Sequence, residues 1–252
     1  MLEGWLARSL LSAGAHLVEP NADSVAGFRG KPGITWHQSL DALPPDLKPE
    51  IVVLGVKPQT APSVLPQLAR FRAATFLSVM AGKRIDGMSK ALGGAAIVRS
   101  MPNTPSAVGR GMTVAVAGPG VTAAAKKRCD DLLAAVGEVA WVGDEALIDP
   151  VTAVSGGGPA YVFLLIETLA AAGEKAGLPA DLAMRLARVT VSGSGELARL
   201  SPESAAQLRQ NVTSPGGTTL EALKVLMAAD GIQPIFDRAI AAATRRAAEL
   251  GS

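Results

Sequence analysis

The sequence predicts two domains, an α/β sheet domain over residues 1–144 and an all-α domain over residues 145–252, and three observations carry that prediction. Short apolar runs rich in β-branched residues, such as I-V-V-L-G-V at 51–56 and A-I-V-R-S-M at 96–101, alternate with segments of helical period as far as residue 142. Runs that are apolar on both sides belong to strands covered on both faces, which implies a parallel sheet with helices above and below it. After Asp144 the strand signal stops, and each later segment carries the helical period. A chain of 252 residues with 48% hydrophobic content and 27 glycines is long enough for two cores joined by tight turns.

The elements follow in order. Residues 1–13 place Leu2, Trp5, Leu6 and Leu10 on one side of a helix, with Gly14 as its C-cap. Strands are expected at 16–19, 51–56, 75–79, 96–101, 112–117 and 139–142, and helices at 60–71, 84–92 and 121–136. The second half reads as helices at 145–154, 159–176, 180–200, 203–210, 218–228 and 232–250. Small residues at 170–172, 193–195 and 241–243 let these helices approach closely, and several are too apolar to face water, so part of that surface is expected to form a homodimer interface.

Composition excludes several function classes. A net charge of +2 is too small for a nucleic-acid footprint, and Lys126, Lys127 and Arg128 stand beside Asp130 and Asp131 as a mixed, solvated helix face. The single cysteine, Cys129, rules out an internal disulfide and fits a reducing cytoplasm. Two histidines, His16 and His37, cannot build a His/Cys metal cluster, so no transition-metal site is expected, and carboxylate-bound Mg²⁺ is the one metal reading left. Glu3 and Arg8 interrupt what a secretory signal needs uninterrupted, and the apolar stretch 160–172 contains Glu167 and falls short of the ~20 residues that cross a bilayer. No membrane contact is expected.

Two kinds of stretch could carry chemistry. N-V-T-S-P-G-G-T-T-L-E-A-L at 211–223 reads as a loop becoming a helix, where free N–H groups, the positive end of the helix dipole and the hydroxyls of Ser214 and Thr219 suit a carboxylate. Plain N-capping is the competing reading. Four further stretches, at 19–21, 55–58, 80–82 and 101–105, stand just past strands, where open α/β sheets bind ligands. Their Gly, Pro and small polar residues let a flat cofactor approach the backbone, although each alone is also ordinary turn chemistry.

V-K-P at 56–58, M-P-N-T-P at 101–105, D-P-V-T-A-V-S-G-G-G-P-A-Y-V-F at 149–163 and the 211–223 motif together resemble pyrroline-5-carboxylate reductase, over the whole chain. The resemblance implies a Rossmann-type N-terminal domain that binds NADPH, with NADH as the other candidate, and a helical domain that forms an interleaved homodimer, with dimers assembling further. It implies reduction of the small molecule 1-pyrroline-5-carboxylate to L-proline, the last step of proline biosynthesis. Carried over by position, Ser214, Gly217, Thr218 and Thr219 hold the substrate carboxylate and Glu145 lies near the ring. Gly55, Val56, Lys57, Pro58, Met80 and Ala81 line the dinucleotide, Asn21 and Gln38 stand near the adenosine ribose, and Asn211 reaches the cofactor from the partner subunit. Thr219 is the hydroxyl expected within reach of the ring nitrogen and the catalytic candidate. Glu19 ends a strand where an acid accepts the ribose 2′-hydroxyl of NADH and repels the 2′-phosphate of NADPH, unless its side chain points away.

Two departures from the family pattern stand out. Gly157 replaces the second serine of S-G-S-G-P-A-Y, which removes a hydroxyl and loosens the helix start. M-L-E-G-W-L at 1–6 resembles the segment just after the family's glycine loop, so a strand and loop of about ten to twenty residues is expected upstream of Met1. Losing the central strand of a 3-2-1-4-5-6 sheet leaves two inner strands with unpaired edges, and weak cofactor binding is the expected result. The alternative function is therefore a cofactor-deficient chain that serves only as a dimerising scaffold. A β-hydroxyacid dehydrogenase or ketol-acid reductase shares the layout but needs a catalytic Lys or metal-binding carboxylates, and Lys175 reads as the exposed end of a helix.

Overall fold

The structure, a computed structural model, describes residues 1–251. They form two compact units, Met1–Gly156 together with the chain from Thr244 onward, and Gly157–Ala243. The last strand ends at Val142 and a helical turn opens at Glu145, and contacts keep the turns of 145–156 with the sheet.

The first unit contains α1 (Leu2–Ala7), β1 (Ala15–Val18), β2 (Ile34–His37), β3 (Ile51–Leu54), α2 (Ala61–Leu68), β4 (Thr75–Ser78), α3 (Ile85–Ala91), β5 (Ala96–Met101), β6 (Gly111–Ala117), α4 (Ala123–Ala134), β7 (Gly137–Val142) and α5 (Ile148–Val151). Strands β3, β4 and β5 are parallel neighbours, β6 runs antiparallel to β5, and β7 is parallel to β6. The expected all-parallel order thus fails at one step. Only a short turn with a 3₁₀ segment at Thr104–Val108 joins β5 to β6, and a parallel crossover needs a dozen residues or more. Strands β1 and β2 form a separate parallel pair, so β1 bonds only to β2 and β3 only to β4.

Three expectations need correction in this unit. Helix α1 ends at Ala7 because Ser9 adopts φ 54, and Gly14 sits in a later turn at φ +85. The expected helix at 145–154 is a 3₁₀ turn (Glu145–Leu147), α5 and a π turn (Thr152–Gly156). Strand β2 gave no sequence signal, since I-T-W-H is four residues long and half-exposed.

The five-stranded sheet is covered on both faces. Phe76, Ile97, Val114 and Val116 pack with α2, α3 and Ile148, while Leu77, Val98 and Ala115 on the other face pack with Trp5 and with Cys129, Leu132 and Leu133 of α4. Each buried Val, Leu, Ile or Phe among them contributes about 1.5–3 kcal/mol of transfer free energy. Trp5 is fixed further by its Nε1–H, which donates to the Leu132 carbonyl at 2.7 Å.

Arg99 breaks this apolar pattern. It sits mid-strand in β5, only 2% exposed, and its Nη1 donates to Glu145 Oε1 at 2.9 Å while Nη2 lies 3.7 Å from Asp149 Oδ1. Arg84 holds the other oxygen of Asp149 at 2.8 Å, and Glu145 Oε1 also accepts the N–H of Ile85 at 2.9 Å. Two guanidiniums and two carboxylates therefore neutralise one another and pin residues 145–149 to β5 and to the start of α3.

The second unit holds α6 (Gly158–Lys175), α7 (Ala180–Leu200), α8 (Ala205–Asn211), α9 (Thr218–Leu226) and α10 (Ile232–Gly251), whose last turns belong to the first unit. Helices α6 and α7 meet over small residues, with Ala170, Ala183 and Ala187 buried and Gly173 against Ala183. Much of the remaining apolar surface is bare. Phe163 is 59%, Leu164 60% and Leu169 44% exposed within the protomer. The helical run 145–175 is longer than the sequence reading gave, and by length and apolar composition alone it meets the requirement of a membrane span.

Two predictions follow from the packing. Arg99→Met leaves Glu145 and Asp149 short of a counter-charge in a buried setting and is expected to cost about 3–5 kcal/mol in urea unfolding. Burial, with the Glu50 carboxylate adding to it, pushes the Cys129 thiol from its ordinary 9.0 up to about 12. The unfolded chain then ionises before the folded one, so stability present below pH 9 is lost as pH rises towards 12. Thermal melts across that range should fall more steeply for the native chain than for Cys129→Ala.

Candidate active site

The 211–223 stretch forms a glycine turn and the start of α9 in the second unit. Gly216 turns the chain with φ +70, and Gly217 N-caps α9 in an extended conformation without a side-chain cap. A Cβ on Gly217 would lie 2.4 Å from Ser214 Oγ, so only glycine leaves room for that hydroxyl over the start of the helix. The N–H of Gly217 donates to the Ser214 carbonyl at 3.1 Å, which closes the turn. Among the described residues, the N–H groups of Thr218 and Thr219 and the hydroxyls of Ser214, Thr218 and Thr219 find no internal partner. Thr219 lies inside the first turn of α9 and caps nothing, so the plain capping reading loses its geometric basis. Exposed donors at the positive end of a nine-residue helix could hold a carboxylate.

In the first unit, the parallel strands β3, β4 and β5 bring Gly55–Pro58, Met80–Ala81 and Met101–Pro105 to one edge of the sheet. The backbone there is again rich in idle donors. The N–H groups of Gly55, Val56 and Lys57 and of Ala81, Gly82 and Lys83 have no acceptor among the described residues. The Lys57 carbonyl accepts from the N–H and hydroxyl of Thr60, which sets the V-K-P turn, while its ammonium group is free. Met80 is 3% exposed and anchors its loop in the core, with its N–H on Ser78 Oγ at 3.2 Å. Backbone donors and one cation at the carboxyl ends of parallel strands fit the phosphates and carboxamide of a dinucleotide.

Asn103 ties this edge to the chain leaving the unit. Its Oδ1 accepts from Met112 N–H at 2.9 Å, and its Nδ2 donates to the carbonyl and hydroxyl of Ser155 in the π turn. Gly156 of the same turn has no room for a Cβ, which would meet Met101 Cε at 2.6 Å. Gly157, the departure from the serine pattern, caps α6 with no side-chain hydrogen bond.

Other expected residues fall differently. Glu145 belongs to the first unit, and its Oε1 is committed to Arg99 and Ile85, which is a structural role. The Asn211 amide donates to Glu203 and accepts from Gln207 within its own unit. Asn21 Oδ1 accepts from the N–H of Asp23, and its own N–H binds Glu19 Oε1, turning that carboxylate back onto the chain. Gln38 stands exposed just past β2. Sequence reasoning gave no role to Arg84, Arg99 or Asp149. An arginine inside the apolar run A-I-V-R-S-M was the available signal, because a charge in a doubly covered strand requires a buried partner.

Comparison with known proteins agrees with this layout. Residues 145–250 match the family model described as pyrroline-5-carboxylate reductase dimerisation. The pyrroline-5-carboxylate reductase of Pseudomonas aeruginosa is 38% identical, over 99% of this chain and 92% of its own length, and that of Synechocystis sp. is 43% identical over 80% and 75%. Among solved structures, a pyrroline-5-carboxylate reductase from Coxiella burnetii superposes with a TM-score of 0.87 at 36% identity, covering 96% of this chain and 92% of that one. The pyrroline carboxylate reductase of Plasmodium falciparum, solved with NADP bound, gives 0.76 at 30% identity, covering 94% and 87%. Similarity of this extent across both units places the chain in the pyrroline-5-carboxylate reductase family.

Proposed function

We propose that this chain reduces 1-pyrroline-5-carboxylate to L-proline with NAD(P)H, and that the substrate carboxylate is held at the start of α9. The observation that carries the reading is the set of unpartnered donors at Ser214, Thr218 and Thr219, gathered over a glycine that admits the Ser214 hydroxyl. A second set, from Gly55 to Lys57 and from Ala81 to Lys83, would hold the dinucleotide, with Pro58 ending the first turn and Met80 anchoring the second. When bound, the reduced nicotinamide supplies a hydride to C5 of the imine.

The protein's own residues bind and orient. A cyclic imine protonated in water arrives already activated, so clamping its carboxylate fixes the position of C5, and restricting that geometry lowers the barrier without a dedicated acid. Thr219 offers a hydroxyl to the carboxylate or to the ring nitrogen, where it would steady the proton. Asn211 and the adenosine-side residues Asn21 and Gln38 complete the reading, Asn211 acting across subunits after releasing Glu203 and Gln207.

The bare helices support a homodimer. Val162, Phe163, Leu164 and Leu165 are consecutive and all exposed, so they point to every side of α6, and one packing face cannot cover them. A second copy wrapped around α6 supplies that cover and explains the apolar run 145–175 without a membrane. Assembly of dimers into a larger ring would use surface left outside this contact. The one cysteine, buried and free, suits a cytoplasmic enzyme.

Oxidation of NADPH and NADH by the purified protein with racemic pyrroline-5-carboxylate tests the reading, and no turnover with either cofactor would contradict it. Thr219→Ala is expected to lower kcat/KM by about 10- to 150-fold, the loss of one hydrogen bond to a charged group. Unchanged kinetics would remove Thr219 from the site. Leu164→Asp places a charge where the single protomer would tolerate it and the dimer would not. Light scattering should show loss of the dimer, and a dimer of native mass would refute the interface.

A further inference from the structure

The last turn of α10 leaves the helical unit and packs on the turn between β4 and α3. Gly82 in that turn has φ +66, and a Cβ on it would lie 3.0 Å from Leu250 Cβ and 3.2 Å from the Leu250 carbonyl oxygen. One residue further, a Cβ on Gly251 would lie 3.1 Å from Arg84 Nε. Two glycines, one on each side, thus let the helix end lie directly on residues 82–84. Ala247, one turn earlier on α10, is 8% exposed although the surface around it on α10 is open.

The turn is also held from its other sides. Met80 is buried beneath it, Arg84 is bound to Asp149 at 2.8 Å, and the Ile85 N–H is bound to Glu145. Between these anchors stand Ala81, Gly82 and Lys83, whose N–H groups have no acceptor among the described residues. Without the helix end, only the flanking anchors Met80, Arg84 and Ile85 would restrain a stretch that includes a left-handed glycine, and its donors would sample many directions.

We infer that the end of α10, residues 248–251, is a positioning element for cofactor binding, which holds the 81–83 donors in the arrangement a dinucleotide uses. This rests on the reading of the 80–83 turn as part of the cofactor site. The helix end and the 81–83 turn belong to the first unit, and the carboxylate donors at 214–219 belong to the second. Its removal should therefore weaken the cofactor and leave the substrate alone.

The test is a chain ending at Ala247, compared with the full chain by fluorescence titration with NADPH and by steady-state kinetics. The Kd and KM for NADPH are expected to rise about 3- to 10-fold, the effect of freeing one ordered segment, with kcat and the KM for pyrroline-5-carboxylate unchanged. Leu250→Gly, which removes the contacting Cβ and keeps the chain length, is the companion variant should the shortened chain lose native circular dichroism. Gly82→Ala in the full chain should also weaken NADPH, and its penalty should shrink in the shortened chain, where the space above residue 82 is open. An unchanged Kd for NADPH in both the shortened chain and Leu250→Gly, or an equal rise in the KM of both substrates, overturns the inference. A full-length protein that binds no NADPH at all overturns the cofactor-site reading as well, so the two failures are told apart by the native protein's own titration.

Discussion

A single buried guanidinium organises the junction on which the sheet unit depends. Arg99 is 2% exposed in the middle of a strand, and a charge in that position is tolerable only when compensated. Glu145 and Asp149 compensate it, and both lie on the chain segment that follows the last strand. Satisfying Arg99 therefore fixes where 145–149 lies on the sheet. The same carboxylates recruit Arg84 and the Ile85 N–H, so the turn after β4 is set by the same four charges. Replacing the cluster with apolar residues could match its stability, but it would lose the directional bonds that register the turn, the strand and the helical segment to one another.

The arrangement of satisfied and idle donors separates scaffold from site. The inner strands β4, β5 and β6 pair with a neighbour on both sides, as burial requires. Two sets of idle N–H groups lie where the chain turns outward, at the carboxyl ends of β3 and β4 and at the start of α9. After β4 and at the start of α9 glycine permits the opening. Gly82 and Gly216 adopt left-handed conformations, and Gly217 leaves space for the Ser214 hydroxyl. A family that reduces a small anionic imine needs anion-binding backbone and positional control more than acid–base side chains, and the chain's two histidines and one cysteine are absent from these places.

Much of this was legible in the sequence, for identifiable reasons. Helices α6, α7, α9 and α10 lie within a few residues of their expected bounds, because Pro, Gly and the helical period mark them clearly. The 211–223 motif revealed its loop-to-helix geometry through S-P-G-G-T-T alone. Strand direction was less legible, since the reversal at β6 depends on the shortness of the 102–110 connection rather than on residue type. The role of Glu145 was hidden because its partner, Arg99, is 46 positions away and nothing local links them. The contact between Gly82 and Leu250 was hidden for the same reason, as chain folding alone brings them together.

1-Pyrroline keeps the cyclic imine and lacks the carboxylate, so it isolates what the start of α9 contributes. The most direct measurement is kcat/KM for pyrroline-5-carboxylate and for 1-pyrroline in the native protein and in Ser214→Ala, at one NADPH concentration. If the idle donors hold the carboxylate, the native protein should favour pyrroline-5-carboxylate by at least about 100-fold, the sum of two or more charged hydrogen bonds. Ser214→Ala should then lose about tenfold on pyrroline-5-carboxylate and nothing on 1-pyrroline. Equal losses on both substrates, or a native protein indifferent to the carboxylate, would contradict the placement of the substrate at α9.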